Sequence, residues 1–294
     1  MMDGEVRIAF GSGSLLPAFT AAFNAGFVDY KYGVVMDEAQ MVQFVARSGI
    51  ALEHSAVLLQ RQDGAWKGVG VALVAMQDKE AWCSGLAVTP SLRGRGFGRQ
   101  LMDAIKARVA AAGAATLRLE VLVENEPARC LYARLGYQAQ RDLLFWRVDS
   151  PFENGSDAYL LHAATVREAL GRTFAWQEGA PAWQRTRHAV AHYLDELWAY
   201  EMRIEDESAG WILLLPTAPR LAGPPRARIM AMAVRPGAHR KALAHHLLAS
   251  LRAYQPETVL SVINEPEESI FTGALRANGF SEVDRQMEMI LTLI

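Results

Sequence analysis

The sequence is short of three things that define whole classes of protein: cysteine, long apolar runs and an excess of one charge. Its only two cysteines, Cys83 and Cys130, exclude a disulfide scaffold and fit a reducing compartment such as the cytoplasm. The longest apolar run, residues 69–76, is far too short to span a bilayer, and the acidic first residues predict no signal peptide. A net charge of −2 provides no basic field, so we expect neither nucleic acid nor a membrane as a partner.

What is present is an ordinary globular composition, 51% hydrophobic and 21% charged, in a chain of 294 residues that is long enough for two domains. Three landmarks occur in the same order in both halves, which predicts two copies of one fold on either side of a turn-rich linker at 149–157. We therefore expect domains over 1–149 and 157–294. The landmark pairs are 88–90 with 234–236, 125–127 with 264–266, and 136–137 with 279–280.

Apolar periodicity predicts strands interleaved with helices in each half, which is typical of an α/β fold with a mixed sheet. A hairpin and a further strand come before the most unusual loop of the chain. The elements that frame this loop are a strand at 80–88, a helix at 96–111, a strand at 117–123 and a helix at 127–135. In the second half we predict strands at 229–234 and 259–263 and helices at 242–254 and 267–277.

The unusual loop is Arg-Gly-Arg-Gly-Phe-Gly-Arg at 93–99, which leads from a strand into a helix. Glycines expose backbone N–H groups, and the helix dipole adds partial positive charge, so the loop predicts a seat for a phosphate-bearing ligand. It is not a P-loop, because Gly98 is followed by Arg99 and Gln100 instead of Lys and Ser or Thr. A second candidate, Gly11-Ser-Gly13, lacks the third glycine of a dinucleotide-binding loop, since Leu16 stands there.

The combination of Arg93-x-x-Gly96-x-Gly98 with Asn125, Tyr132 and a following Gly-Tyr pair resembles the GNAT superfamily of acyl-CoA-dependent N-acetyltransferases. The resemblance covers roughly residues 5–148 and implies tandem GNAT folds, each a mixed, mostly antiparallel central sheet flanked by helices. It also implies a bulge near Gly85 that opens a cleft. The implied ligand is acetyl-CoA, with its pyrophosphate on the N–H groups of Arg93, Gly94, Arg95, Gly96, Phe97, Gly98 and Arg99. Its pantetheine arm would pair with the backbone of Leu86 and Val88, and Asn125 would hold the turn or a cofactor carbonyl.

Acyl transfer to an amine requires a base for the ammonium, stabilisation of the thioester oxygen and a proton for the departing thiolate. The resemblance implies Tyr132 as the general acid and the Val88 N–H as the group that polarises the carbonyl. Glu120 is spaced like the glutamate base of ribosomal-protein N-terminal acetyltransferases, but a structural glutamate, a water relay and Glu80 remain alternatives. The sequence predicts no metal site. Residues 30–32, Tyr-Lys-Tyr, either line the acceptor pocket or form a plain loop.

The second half looks like the same fold with an eroded site, because His239, Ala242 and Ala244 replace Arg93, Gly96 and Gly98, and Phe271 falls at the tyrosine position. We expect no cofactor there. The resulting prediction is an N-acetyltransferase, monomeric or homodimeric, that moves an acetyl group from acetyl-CoA to a primary amine of a small molecule or peptide by direct attack. The alternatives are a non-catalytic, acyl-CoA-responsive binding or scaffold protein and transfer of a longer acyl group.

Overall fold

A computed structural model describes residues 4–33, 35–149, 158–217 and 223–293 of the chain. Most of the predicted linker, residues 150–157, lies outside the described residues. The chain divides into two compact units. Unit 1 comprises Met1–Gln140 with Met287–Ile294, and unit 2 comprises Arg141–Gln286.

In unit 1, a hairpin over residues 56–77 precedes a strand at 80–88, as the periodicity predicts. The second helix of this unit starts with a capping box, in which the Asp37 side chain accepts from the Gln40 N–H and the Gln40 side chain accepts from the Asp37 N–H. The elements in chain order are β1 Val6–Phe10, α1 Leu16–Gly26, α2 Glu38–Arg47, β2 Ala56–Gln62, β3 Ala65–Gln77, β4 Glu80–Val88, α3 Phe97–Ala111, β5 Thr116–Leu122, α4 Glu126–Arg134 and β6 Gln138–Val148.

The sheet of unit 1 has the order β1-β2-β3-β4-β5, with antiparallel pairs up to β4 and a parallel pair between β4 and β5. One face packs against α1 and α2 around Phe19 and Met41, and the other packs against α3 around Leu101 and Ile105. The parallel pair lies where the strand after the glycine loop returns to the sheet. This arrangement confirms the predicted α/β class with a mixed sheet.

Unit 2 repeats the pattern. Its elements are β7 Leu161–Ala163, α5 Val166–Trp176, α6 Arg187–Ala191, β8 Trp198–Ile204, β9 Glu207–Thr217, β10 Arg226–Val234, α7 Arg240–Tyr254, β11 Val259–Pro266, α8 Ile270–Ala277 and β12 Ser281–Thr292. The β10–β11 pair is parallel, like β4–β5, and the neighbouring pairs are antiparallel. None of the described helices is long and apolar enough to cross a membrane.

The compact units differ from the ranges 1–149 and 157–294 at one strand each. Residues 141–148 of β6 pair with β11, with Val148 opposite Leu260, so they belong to unit 2. Residues 287–292 of β12 lie beside β5, and the Leu293 N–H donates to the Ala115 carbonyl at 2.8 Å. Each sheet is therefore completed by a strand segment from a distant part of the chain.

Candidate active site

A β-bulge at Ser84 interrupts the central strand of unit 1. Gly85 pairs with Leu73 on β3 and Cys83 pairs with Val74, so Ser84 is the extra residue. The parallel ladder between β4 and β5 ends at the adjacent residue, Cys83. The two strands part beyond this point, and we call the space between residues 84–88 and 120–122 the fork. The bulge lies one residue before Gly85, as the resemblance implies.

Backbone alternation directs two residues of β4 into the fork. The Thr89 N–H donates to the Val69 carbonyl of β3 at 2.9 Å, which makes Thr89 and Val69 a hydrogen-bonded pair. In an antiparallel pair, hydrogen-bonded and non-hydrogen-bonded positions alternate. Leu86 and Val88, opposite Ala72 and Gly70, are therefore non-hydrogen-bonded positions whose N–H and C=O groups point away from β3. They present hydrogen-bonding groups to the side where the ladder with β5 has ended.

The glycine loop lies directly after the fork. Gly94 and Gly96 have φ values of 75° and 82°, in the left-handed region that glycine adopts readily, and Gly96 is the N-cap of α3. The Gln100 N–H donates to the Gly96 carbonyl at 3.1 Å. Within the part of the chain that the structure describes, the N–H groups of Phe97, Gly98 and Arg99 meet no hydrogen-bond acceptor. Three backbone donors and the positive end of a 15-residue helix thus face one point.

Arg93 has a different role from the rest of the loop. Its N–H donates to the Pro90 carbonyl at 3.2 Å, and its guanidinium binds both carboxylate oxygens of Asp29, at 2.6 and 2.7 Å. This hydrogen-bonded pairing lowers the pKa of Asp29 and raises that of Arg93. Asp29 was not recognised from the sequence, because an isolated acid in a loop carries no pattern. The exposed side chain of Arg99 is 3.5 Å from Asp103 on the next turn of α3.

Tyr132 lies on α4, which Asn125 begins as N-cap by accepting from the Ala128 N–H at 3.3 Å. Only 7% of Tyr132 is exposed, and its ring centroid is 5.8 Å from that of Tyr137. Burial raises the pKa of Tyr132 well above its ordinary value, and the neighbouring Cys83 and Tyr30 raise it further. The phenol therefore holds its proton firmly.

Glu120 is the first residue of β5 beyond the end of the parallel ladder, which places it at the base of the fork. The Trp82 indole N–H donates to its Oε2 at 2.6 Å. Burial, with a smaller contribution from the charge of Glu120, raises the pKa of the Cys83 thiol to about 12. The other carboxylate considered from the sequence, Glu80, is at the opposite end of β4 and binds Arg118 at 2.8 Å. The fold brings Glu120 to the fork and keeps Glu80 away from it.

The segment after α1 reaches the same region. Lys31 pairs with Glu124 at 3.2 Å, just beyond the end of β5, and Tyr30 is close enough to Tyr132 to influence its pKa. The residues at 30–32 therefore belong to the surroundings of the fork and are not a remote loop.

Unit 2 contains a corresponding fork, but an arginine side chain bonds to both of its strands. Met230 is the bulge residue of β10, and the parallel ladder with β11 ends at Arg228 and Ser261. Arg185, from a turn at 183–185, donates to the Met230 carbonyl at 3.3 Å and to the carboxylate of Glu265 on β11. This guanidinium is buried, which lowers its pKa to about 10. The fork of unit 2 is bridged by the unit's own chain.

The structure shifts the correspondence between the two halves. The α7 helix begins at Arg240 with His239 as N-cap, so His239 matches Gly96, and Ala242 and Ala244 lie inside the helix. The loop before α7 is shorter than the loop before α3. The residue-by-residue matching of the two halves assumed loops of equal length and therefore paired the wrong residues. The Phe280 N–H donates to the Leu275 carbonyl just as the Tyr137 N–H donates to that of Tyr132, so Leu275 stands at the tyrosine position instead of Phe271.

The strand β11 ends later than predicted, and the helix after it begins later than predicted. Asn264-Glu-Pro266 stays within β11, and α8 begins only at Ile270, after Ser269 as N-cap. Among the residues that the structure describes, no group of three His, Cys, Asp or Glu side chains is arranged to hold a metal ion.

Comparison with known proteins agrees with this architecture. Residues 29–137 match the model of the acetyltransferase (GNAT) family, a stretch that includes the fork, the glycine loop and α4. No curated protein sequence shows significant similarity to the chain.

Solved structures resemble the whole chain. A GCN5-related N-acetyltransferase from Sphaerobacter thermophilus has 16% identity and a TM-score of 0.65, over 98% of this chain and 96% of its own. A tandem GNAT protein from the clavulanic acid biosynthesis pathway has 15% identity and the same TM-score of 0.65, over 99% of both chains. A putative acetyltransferase from Pyrococcus horikoshii has 15% identity and a TM-score of 0.63, over 98% and 89%. At this identity, the likeness shows that the fold is shared.

Proposed function

We propose that this chain is a tandem acyltransferase of the GNAT superfamily. Its reaction would move an acetyl group from acetyl-CoA to a primary amine of a small molecule or peptide. The observation that carries the proposal is two successive sets of backbone donors in unit 1: Leu86 and Val88 in the fork, and Phe97, Gly98 and Arg99 at the start of α3. A thioester carrier with an extended amide arm and a diphosphate requires these two kinds of site in this order.

The loop residues would divide this work unequally. The N–H groups of Phe97 to Arg99 would hold the diphosphate, with Gly94 and Gly96 keeping side chains out of its path. Arg93 would act through Asp29 and not through its own N–H, which is already bonded. Asn125 would fix the start of α4, and through it the position of Tyr132.

In the transfer itself, the amine nitrogen forms a bond to the acetyl carbon and the carbon–sulfur bond breaks. The Val88 N–H, directed into the fork, would stabilise the negative charge that develops on the carbonyl oxygen. Tyr132 would give its proton to the departing thiolate, and Glu120 would accept the proton that the attacking ammonium must lose. The hydrogen bond from Trp82 would hold Glu120 in a fixed orientation for this step.

The substitution Tyr132→Phe tests the assignment against a matched neighbour. Loss of a general acid should lower kcat by about 10²-fold or more, while the affinity for coenzyme A stays within about twofold, because the hydroxyl alone is removed. Tyr137→Phe serves as the control, since this tyrosine is equally buried and its ring lies against that of Tyr132. Equal turnover of the wild type and Tyr132→Phe would remove Tyr132 from the mechanism.

The acceptor would be identified with a panel of amines and acetyl-CoA, with the released thiol as readout. Hydrolysis of acetyl-CoA without transfer to any amine would instead favour a non-catalytic, acyl-CoA-responsive protein. The two free cysteines are consistent with a cytoplasmic location for this reaction.

A further inference from the structure

We propose that Asp29 is a positioning residue for the glycine loop: it orders the loop through Arg93 and so strengthens coenzyme A binding without touching the ligand. The inference rests on the proposed function, because it assigns the loop to coenzyme A. It concerns a residue outside the loop motif, on the segment between α1 and α2.

The guanidinium of Arg93 is held from three directions. Asp29 accepts from Nη1 at 2.6 Å and from Nη2 at 2.7 Å in a two-pronged arrangement. The Gly26 carbonyl accepts from Nη2 at 2.9 Å, and the Val88 carbonyl accepts from Nε at 3.0 Å. A planar guanidinium with this set of partners has little rotational freedom left.

These partners belong to the elements that frame the fork. Val88 is the last residue of β4, and Gly26 is the last residue of α1. Gly26 packs closely on β4, since a Cβ there would come within 2.6 Å of the Ala87 Cβ. Arg93 itself precedes Gly94 and Gly96, whose left-handed backbone turns the chain into α3. Arg93 thus ties the first residue of the loop to α1 and to β4, and Asp29 holds the guanidinium in the orientation that makes these bonds.

The same short segment also meets the far side of the fork. Lys31 pairs with Glu124 at 3.2 Å, just beyond the end of β5. Residues 29–31 therefore connect Arg93 of the glycine loop with the β5 side of the fork.

Exposure limits how large the effect can be. The side chains of Arg93 and Asp29 are 43% and 56% exposed, so solvent screens their attraction. The two charge-assisted hydrogen bonds should still stabilise the loop more than an ordinary surface ion pair would, because their geometry is bidentate. We expect Asp29→Asn to weaken coenzyme A binding about 5- to 10-fold.

The experiment measures coenzyme A affinity by calorimetry on the full chain. Asp63→Asn is the control, because Asp63 is an acid of the same unit in the β2–β3 turn, away from the fork, with φ 52°, where asparagine is well tolerated. In steady-state kinetics, Asp29→Asn should raise KM for acetyl-CoA by the same factor and change kcat by less than about twofold, since the reacting groups are untouched. In an Arg93→Ala background, Asp29→Asn should add less than about twofold to the loss of affinity, because the two residues act as one unit.

Hydrogen exchange of the hydrogen-bonded Arg93 and Gln100 amides, which flank the glycine loop, separates this inference from the proposed function when it is measured without ligand. Faster exchange in Asp29→Asn than in the wild type and Asp63→Asn supports the positioning role, even if coenzyme A fails to bind the wild type, which would refute the proposed function alone. Unchanged exchange together with unchanged affinity would overturn the role of Asp29. A full additional loss on the Arg93→Ala background would also overturn it, because Asp29 would then act independently of Arg93.

Discussion

Burial sets the chemistry of individual side chains at the fork. Tyr132 is surrounded by apolar groups, so its phenol resists ionisation, and the Cys83 thiol beside it is also kept protonated. Glu120 alternates along β5 with the core residues Leu119 and Val121, and its Oε2 accepts a hydrogen bond from Trp82. The residues proposed as general acid and base therefore have different environments.

The raised pKa of Tyr132 has a consequence for the pH dependence of turnover. Because the folded protein holds this proton more tightly than a free phenol of pKa about 10, the acid form persists throughout the range from pH 7 to 10. We expect kcat profiles of the wild type and Tyr132→Phe to have the same shape in this window and to differ only in height. An alkaline fall between pH 8 and about 9.5 that is present in the wild type and lost in Tyr132→Phe would contradict the assignment.

Residue-level prediction from sequence succeeded where backbone conformation dictates the residue. Gly94 and Gly96 occupy left-handed positions, and a glycine-rich run before a helix signals such positions directly. The same run gave no hint that Arg93 is engaged by Asp29, since the two are 64 residues apart in sequence. Pairing of this kind depends on tertiary contact and leaves no local pattern.

At the scale of elements, both units contain a bulged central strand, and in unit 2 an arginine bridges the fork that the bulge creates. A bulge on the central strand, at Ser84 in unit 1 and at Met230 in unit 2, ends a parallel ladder and forms a fork. In unit 2, Arg185 bonds to both strands of the fork, and Asn264 donates to Gln184 at 3.0 Å beside it. This polar bridge supports the proposal that unit 2 binds no cofactor.

Removing one partner of this bridge should be costly, since it leaves a buried charge uncompensated. We expect Glu265→Ala to lower the free energy of unfolding by about 3–5 kcal/mol. The matched control is Glu207→Ala, which removes an exposed carboxylate 3.7 Å from Arg235 and should cost no more than about 1 kcal/mol. Urea unfolding followed by circular dichroism provides the comparison, and an equally small effect of both substitutions would show that Arg185 is satisfied without Glu265.

Elements with strong periodicity could be predicted, and the others could not. The strand at 80–88 has the expected bounds. The helix α3 begins at Phe97 instead of the predicted residue 96, because Gly96 is its N-cap. The helices α5 and α6 were missed. The strand β12 was missed as well, although its apolar residues Val283, Met287, Met289 and Leu291 share one face and most of the residues between them are polar.

For the whole molecule, the two copies predicted from the sequence repeat and the two compact units of the structure have different bounds. The repeat correctly indicated two copies of one fold. Each compact unit is completed by the last strand of the other copy, β12 for unit 1 and β6 for unit 2. Met289 and Leu291 pack in the same core cluster as Tyr132 and Tyr137, although about half the chain separates them. The sequence could not reveal this, since strand pairing across such distances is set by the register of the sheet.

The central claim is that one coenzyme A binds per chain, on the exposed amides at the start of α3 in unit 1. Isothermal calorimetry of coenzyme A with the wild type, Gly96→Trp and Gly113→Trp tests it most directly. Both glycines have positive φ, 82° and 93°, and an added Cβ at either meets no atom within 4 Å, so the backbone strain is matched. We predict one site per chain in the wild type and in Gly113→Trp, and none in Gly96→Trp. Two sites per chain, or unchanged affinity in Gly96→Trp, would contradict the account.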